Sequence, residues 1–172
     1  MGPSPPFSLS QQKFLALCPK FTAALSLLGS TYILEHVATS AKRRRQPYHR
    51  ILFGMSLMDL TFAVKNFLTT WPIPADAGIY LASGTTETCT AAGFFGHAAS
   101  LSSSLYNGSL TAYFLLTIRY RWFPRKFARR AEAWAHSVPL LVGWSTALAA
   151  LPLRLFNPIE WVSEADRITC SK

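Results

Sequence analysis

Five polar residues, His97, Ser100, Ser104, Asn107 and Thr111, follow one another at spacings of 3, 4, 3 and 4. That rhythm places all five on one face of a single helix. Such a face can line a small-molecule cavity, or hold helices together through interhelical hydrogen bonds. His97 lies eight residues after Cys89, about 12 Å of helix rise, a depth suited to a small ligand. His97, Ser100 and Ser104 are therefore ligand-pocket candidates. A second set, Ser56, Asp59, Asn66 and Thr70, is spaced by 3, 7 and 4; it adds Asn66 to the pocket candidates, and Asp59 as a carboxylate that can hold a proton or a cation. Asp59 and Asn107 are candidates for a polar network inside a bundle. No nucleophile-base arrangement, metal-ligand cluster or phosphate-cradling glycine loop accompanies them. The sequence reads as a non-enzyme with neither metal nor cofactor.

The elements that must position these residues follow from composition. Half of the 172 residues are hydrophobic and 15% are charged, against about 25% charged in an ordinary soluble domain. Mean hydropathy is +0.20. An aromatic content of 13% excludes intrinsic disorder, and three cysteines are too few for a disulfide scaffold. Four mostly apolar segments, 14–38, 51–71, 90–118 and 133–153, reach the roughly 20 residues that a bilayer core of about 30 Å requires. None alternates with the period of an outer-membrane strand. The expected fold is all-α: an integral membrane bundle of four transmembrane helices at 14–153, between an N-terminal segment 1–13 and a tail 154–172.

The formal net charge of +9 would suit nucleic acid or an anionic membrane. Its distribution decides between them. Loop 39–50 carries Lys42, Arg43, Arg44, Arg45 and Arg50, and segment 119–132 carries Arg119, Arg121, Arg125, Lys126, Arg129 and Arg130, eleven of the 17 Lys+Arg. Loop 72–88 has none. The positive-inside rule puts both basic stretches in the cytoplasm and the N-terminus and tail outside the cell. Basic membrane flanks without an interleaved aromatic-basic surface argue against nucleic acid. No cleavable signal peptide is evident, because Met1 to Gln12 lacks a basic start. Trp71-Pro72-Ile73-Pro74, Pro124, Pro152 and Asn157-Pro158 punctuate the segments, and Trp71, Trp122, Trp134 and Trp161 sit at or just beyond their ends.

Asp59 lies eight residues from the cytoplasmic end of the second segment, about 12 Å deep, too far for a short side chain to reach water. It must be protonated, paired or bound to a cation. Lys65, six residues from Trp71, can extend its stem to the outer interface. Cys89 and Cys170 both fall outside, in an oxidising compartment that suits a bridge. With three cysteines the pairing is not unique, and Cys18, at the outer end of the first segment, reads as the free thiol. Asn107-Gly108-Ser109 matches a glycosylation pattern, but mid-membrane placement keeps it unmodified.

These features together resemble a known family. A basic first inner loop, Gly54-Met55-Ser56-Leu57-Met58-Asp59-Leu60 in the second segment, Cys89 at the head of the third, Ile118-Arg119-Tyr120 at its foot and Cys170 after the fourth look like the first four helices of a seven-helix G-protein-coupled receptor. Cys18-Pro19-Lys20-Phe21, Thr69-Thr70-Trp71-Pro72-Ile73-Pro74, Cys89-Thr90-Ala91-Ala92-Gly93-Phe94-Phe95 and Leu105-Tyr106-Asn107 are similar to the cyclic-AMP-receptor-like group of protists.

The resemblance implies roles. Asp59 would belong to a water and cation network, and Arg119, with Tyr120 and Arg121, would face a G protein. Ile118 stands where such receptors carry an acid beside that arginine, which removes its usual restraint. The family also implies a plasma-membrane protein that transmits signals through a heterotrimeric G protein once helices five to seven complete the bundle. The 172 residues then read as a receptor fragment that does not signal alone and associates with other receptor chains. The competing readings are a four-helix membrane scaffold and a half-transporter acting as a dimer.

Overall fold

The computed structural model describes residues 8–75, 80–153 and 155–156, and the regular elements among them are all helical. Ser8 caps α1 (Leu9–Ala38): its hydroxyl accepts from the Gln11 N–H at 3.4 Å, and the Gln11 side chain accepts from the Ser8 N–H at 3.0 Å. This reciprocal cap fixes the helix start. Pro19 lies inside α1, and the Thr22 hydroxyl donates to the Pro19 carbonyl at 3.1 Å. A short α2 (Ala41–Arg44) fills the first basic loop.

Helix α3 (Pro47–Leu68) begins four residues before the expected 51, because Pro47 occupies its first turn, where the missing N–H costs nothing. It stops before Trp71, because Thr69 turns to φ 45°. The loop after α3 then folds back: the Gly84 N–H donates to the Ile73 carbonyl at 2.8 Å and the Thr88 hydroxyl to that of Pro72 at 2.9 Å. Ile73 is buried against Cys89 there. Helix α4 (Thr86–Phe114) starts at a Thr85/Thr88 capping box, earlier than the expected 90. Its continuation, Leu115–Arg119, is a wide π turn. The expected second basic loop contains a helix, α5 (Pro124–Arg130), which the density of Arg and Lys had hidden. Helix α6 (Glu132–Ala150) carries Pro139 within it.

The bundle is serial: α1 packs on α3, α3 on α4, and α4 on α6. Bulky residues fill one end, where Ile51, Met58, Tyr106, Phe127 and Ala135 form the main core. Small residues set the α4–α6 contact. A Cβ on Gly143 would stand 2.1 Å from Ser102 Oγ and 2.8 Å from the Ala98 carbonyl oxygen, so only glycine permits this approach. Helices in lipid associate through small residues of this kind.

Four segments of spanning character were expected. Two helical stretches, Lys13–Ala38 and Pro47–Leu68, are long and apolar enough by composition to cross a membrane. Ser, Thr and Gly dilute α4, and Glu132, His136, Ser137 and Pro139 dilute the first half of α6. Those side chains meet neighbouring helices in several cases, so the composition of α4 and α6 reports packing as much as solvent.

Candidate functional site

Two polar contacts tie α3 to its neighbours. At the start of α3 the Arg50 guanidinium grips Glu132 of α6 with both prongs, Nη2 to Oε2 at 2.6 Å and Nε to Oε1. Arg50 Nη1 also donates to the Arg44 carbonyl at 3.1 Å. His136, one turn along α6, holds Nε2 4.0 Å from Glu132 Oε1, and its Nδ1 lies 3.2 Å from the Tyr106 hydroxyl of α4. Tyr106 is buried beneath Gly54, where a Cβ would come within 2.9 Å of the ring and its hydroxyl. Arg50, Glu132, His136 and Tyr106 thus form one chain across α3, α6 and α4.

The second contact lies two to three turns further along α3. The Ser103 hydroxyl of α4 donates to Asp59 Oδ1. One turn back, Ser56 is buried with an unpartnered hydroxyl, and Thr70 is buried likewise beyond the end of α3. Asp59 and Asn66 are half-buried. The arrangement is a carboxylate with one hydroxyl donor and spare acceptor capacity, flanked by a buried hydroxyl that can donate or accept.

The α4 stripe does not lie as expected. Ser104, Asn107 and Thr111 are exposed, and the hydroxyls of Ser104 and Thr111 turn back to the Ser100 and Asn107 carbonyls at 3.0 Å each. The inward polar residues are Ser102, whose hydroxyl donates to the Pro139 carbonyl at 3.0 Å, then Ser103 and Tyr106. The face that meets α3 and α6 is thus displaced around the helix from the one the spacing selected. Asn107 is exposed one turn along α4 from Ser103, the residue that bonds Asp59. His97 and Ser100, nearer the other end, are half-buried. His97 sits 5.9 Å from the Phe156 ring, in an aromatic group with Phe94 and Trp144, themselves 5.8 Å apart. His97 therefore meets aromatic rings, while Ser104 is exposed.

At the foot of α4, Arg119, Tyr120 and Arg121 are exposed, and Ile118 is 75% exposed. The π turn ends there with Tyr120 N–H on the Leu115 carbonyl at 3.4 Å, and Arg121 adopts φ 50°. Widened turns of this sort often mark functional sites. Lys65 lays its stem along Gly96, 3.2 Å from where a Cβ would sit, and Lys20 caps the Trp71 ring at 3.8 Å. Cys18 is free and exposed. Cys89 is buried and is not a free thiol, whereas Cys170 lies outside the described residues.

Sequence reasoning named Asp59 but missed Ser103, Arg50, Glu132 and His136 as partners. Arg50 and Glu132 are 82 residues apart, and nothing local links them. No three His, Cys, Asp or Glu side chains converge among the described residues. Compared with protein-family models, curated proteins and solved structures, the chain matches none of them.

Proposed function

We propose that this chain is a G-protein-coupled-receptor-like membrane protein, its four long helices corresponding to the first four of the seven-helix bundle. The observation that carries the reading is the division between polar side chains that meet inside the bundle and apolar side chains exposed on its outside. A carboxylate of α3 and a hydroxyl of α4, Asp59 with Ser103, meet each other, while large apolar side chains cover the outside, including Phe14, Phe21, Leu28 and Tyr32 on α1 at two-thirds exposure or more. Exposed apolar surface of that extent suits lipid, and an intramembrane carboxylate suits a functional network. On this reading all four helices cross the plasma membrane, with the N-terminus outside and α2 and α5 in the cytoplasm. Cys89 and Cys170 form the outer bridge, Asp59 and Ser103 belong to a water and cation network, and Arg119 with Tyr120 and Arg121 faces a G protein.

These four helices supply one side of a ligand pocket and one side of a G-protein cleft. Alone they are expected not to activate a G protein, and the exposed Ser104, Asn107 and Thr111 favour association with further helices. Epitope tags test the arrangement. Tags before Met1 and after Lys172 are expected to be reached from outside intact cells, and a tag beside Arg44 only after permeabilisation. Termini on opposite faces would overturn the topology, and ligand-driven nucleotide exchange by the purified chain would overturn the division of labour.

A further inference from the structure

We infer that α5 and the turn before it bind an anionic lipid headgroup carrying more than one phosphate, in the cytoplasmic leaflet; this rests on the membrane topology proposed above. Phe123, Pro124, Arg125, Lys126, Arg129 and Arg130 line an open depression of about 910 Å³. Arg125 with Arg129, and Lys126 with Arg130, are i,i+4 pairs, so all four cations stand on neighbouring strips of one short helix. Phe127 fixes that helix from behind, buried with its ring 4.9 Å from that of Tyr113. The cations are thus held on a rigid mount.

Nothing in the described residues neutralises them. Glu132, the nearest carboxylate in sequence, is already gripped by Arg50, and none of the four cations has an ion pair among the described residues. Four like charges this close repel one another, and a polyvalent anion relieves that repulsion where a single phosphate would leave most of it. Arginine forks match phosphate oxygens two at a time. Lys126 sits 4.4 Å over the Trp122 ring, and Phe123, 79% exposed, offers an apolar foot at the same rim. A basic cup with aromatic residues at its rim fits a headgroup whose acyl chains continue into a bilayer. The other basic run differs: Arg43 donates to the His36 carbonyl, and Arg50 to Glu132 and the Arg44 carbonyl. There, part of the charge holds the chain together.

The test reconstitutes the full chain into neutral phosphatidylcholine nanodiscs doped, at matched total charge, with either phosphatidylinositol bisphosphate or phosphatidylserine. Bound lipid is read by native mass spectrometry. Retention of the bisphosphate lipid is expected to exceed that of phosphatidylserine, and to fall roughly tenfold or more in a variant with Arg125→Gln, Lys126→Gln, Arg129→Gln and Arg130→Gln. Changing Lys42, Arg43, Arg44 and Arg45 to Gln is expected to alter it much less. A charge-preserving Arg125→Lys, Arg129→Lys, Arg130→Lys variant, which keeps the net field and loses the forks, is expected to lose the preference between the two lipids. Equal retention of both lipids, or equal losses from the two basic runs, would reduce the effect to general surface charge and overturn the site. Displacement by inorganic phosphate at matched charge would overturn a lipid as the ligand. A chain that fails to enter neutral bilayers would overturn the membrane reading and this inference together, whereas entry without selective retention would overturn this inference alone.

Discussion

The two polar contacts of α3 differ in how fully they are satisfied. At Arg50 two guanidinium prongs meet two carboxylate oxygens, a third nitrogen donates to the Arg44 carbonyl, and His136 and Tyr106 extend the chain. At Asp59 one hydroxyl meets one oxygen, and the buried Ser56 hydroxyl beside it has no partner among the described residues. A saturated contact holds its helices in one arrangement, because any movement breaks several bonds at once. An unsaturated one keeps capacity for a guest such as water or a cation. The first contact is therefore a clamp, and the second is the better candidate for a site that changes state.

If the clamp reading holds, Glu132→Ala has the largest effect. It strips both acceptors from Arg50 and leaves His136 without its carboxylate neighbour. Breaking a fully buried pair costs about 3–5 kcal/mol; with 38% of the Arg50 side chain exposed, solvent reduces that to about 2 kcal/mol. Thermal unfolding in detergent measures it. The double variant Arg50→Gln, Glu132→Gln is expected to be milder than the sum of its single changes. Strict additivity would mean that the two side chains merely lie side by side.

Gly54→Ala attacks the same clamp through packing. The new methyl would press within 2.9 Å of the Tyr106 ring, which is 2% exposed and has no free space to swing into. A cost of about 1–1.5 kcal/mol is expected, the low end for overpacking because the methyl meets the far end of a side chain, together with loss of the contact between Tyr106 and His136. Native-state hydrogen exchange should then rise around Tyr106 and His136 while the Asp59 region keeps its protection. A uniform rise over both regions would show that the two contacts are one cooperative unit.

The sequence made part of this legible. Helical type followed from apolar runs too long for strands, and the ends of α3 and α4 shifted only by the local effects of Pro47, Thr69 and the Thr85/Thr88 cap. Asp59 stood out because a carboxylate among apolar neighbours demands a partner. Its partner did not. Residues 100, 102, 103 and 104 are all serine, so a 3-4 rhythm can be traced down more than one face of α4, and hydropathy cannot choose between them. The choice is made by Gly143, whose bare backbone admits Ser102 and so sets the rotation of α4. Arg50 was counted with the basic loop because its neighbours are basic. Its contact with Glu132 exists only once α6 returns alongside α3.

Ser103→Ala is a smaller and more specific test of the open contact. It removes the one hydroxyl donated to Asp59 and is expected to cost about 1 kcal/mol, the net worth of an ordinary hydrogen bond. Asparagine at position 59 would still accept the Ser103 hydroxyl, so Asp59→Asn should cost less than Ser103→Ala. It should also remove any dependence of thermal stability on the concentration of sodium over potassium. A sodium effect that survives Asp59→Asn would place the cation elsewhere.

The smallest expected effect is the most telling. Ser56 is 1% exposed, and its hydroxyl has no partner among the described residues. A buried hydroxyl without a bond pays its desolvation and gains nothing in return. Ser56→Ala removes that oxygen, leaves a void of about one atom, and is expected to change stability by no more than about 0.5 kcal/mol, with a gain as the favoured sign. The same substitution at Ser102, equally buried but bonded to the Pro139 carbonyl at 3.0 Å, is the matched control and should cost about 1 kcal/mol. If Ser56→Ala costs as much as Ser102→Ala, the Ser56 hydroxyl is bonded in the protein, with Asp59 as its nearest polar neighbour along α3. The contact at Asp59 would then be as saturated as the one at Arg50, and the contrast between clamp and open site would fail.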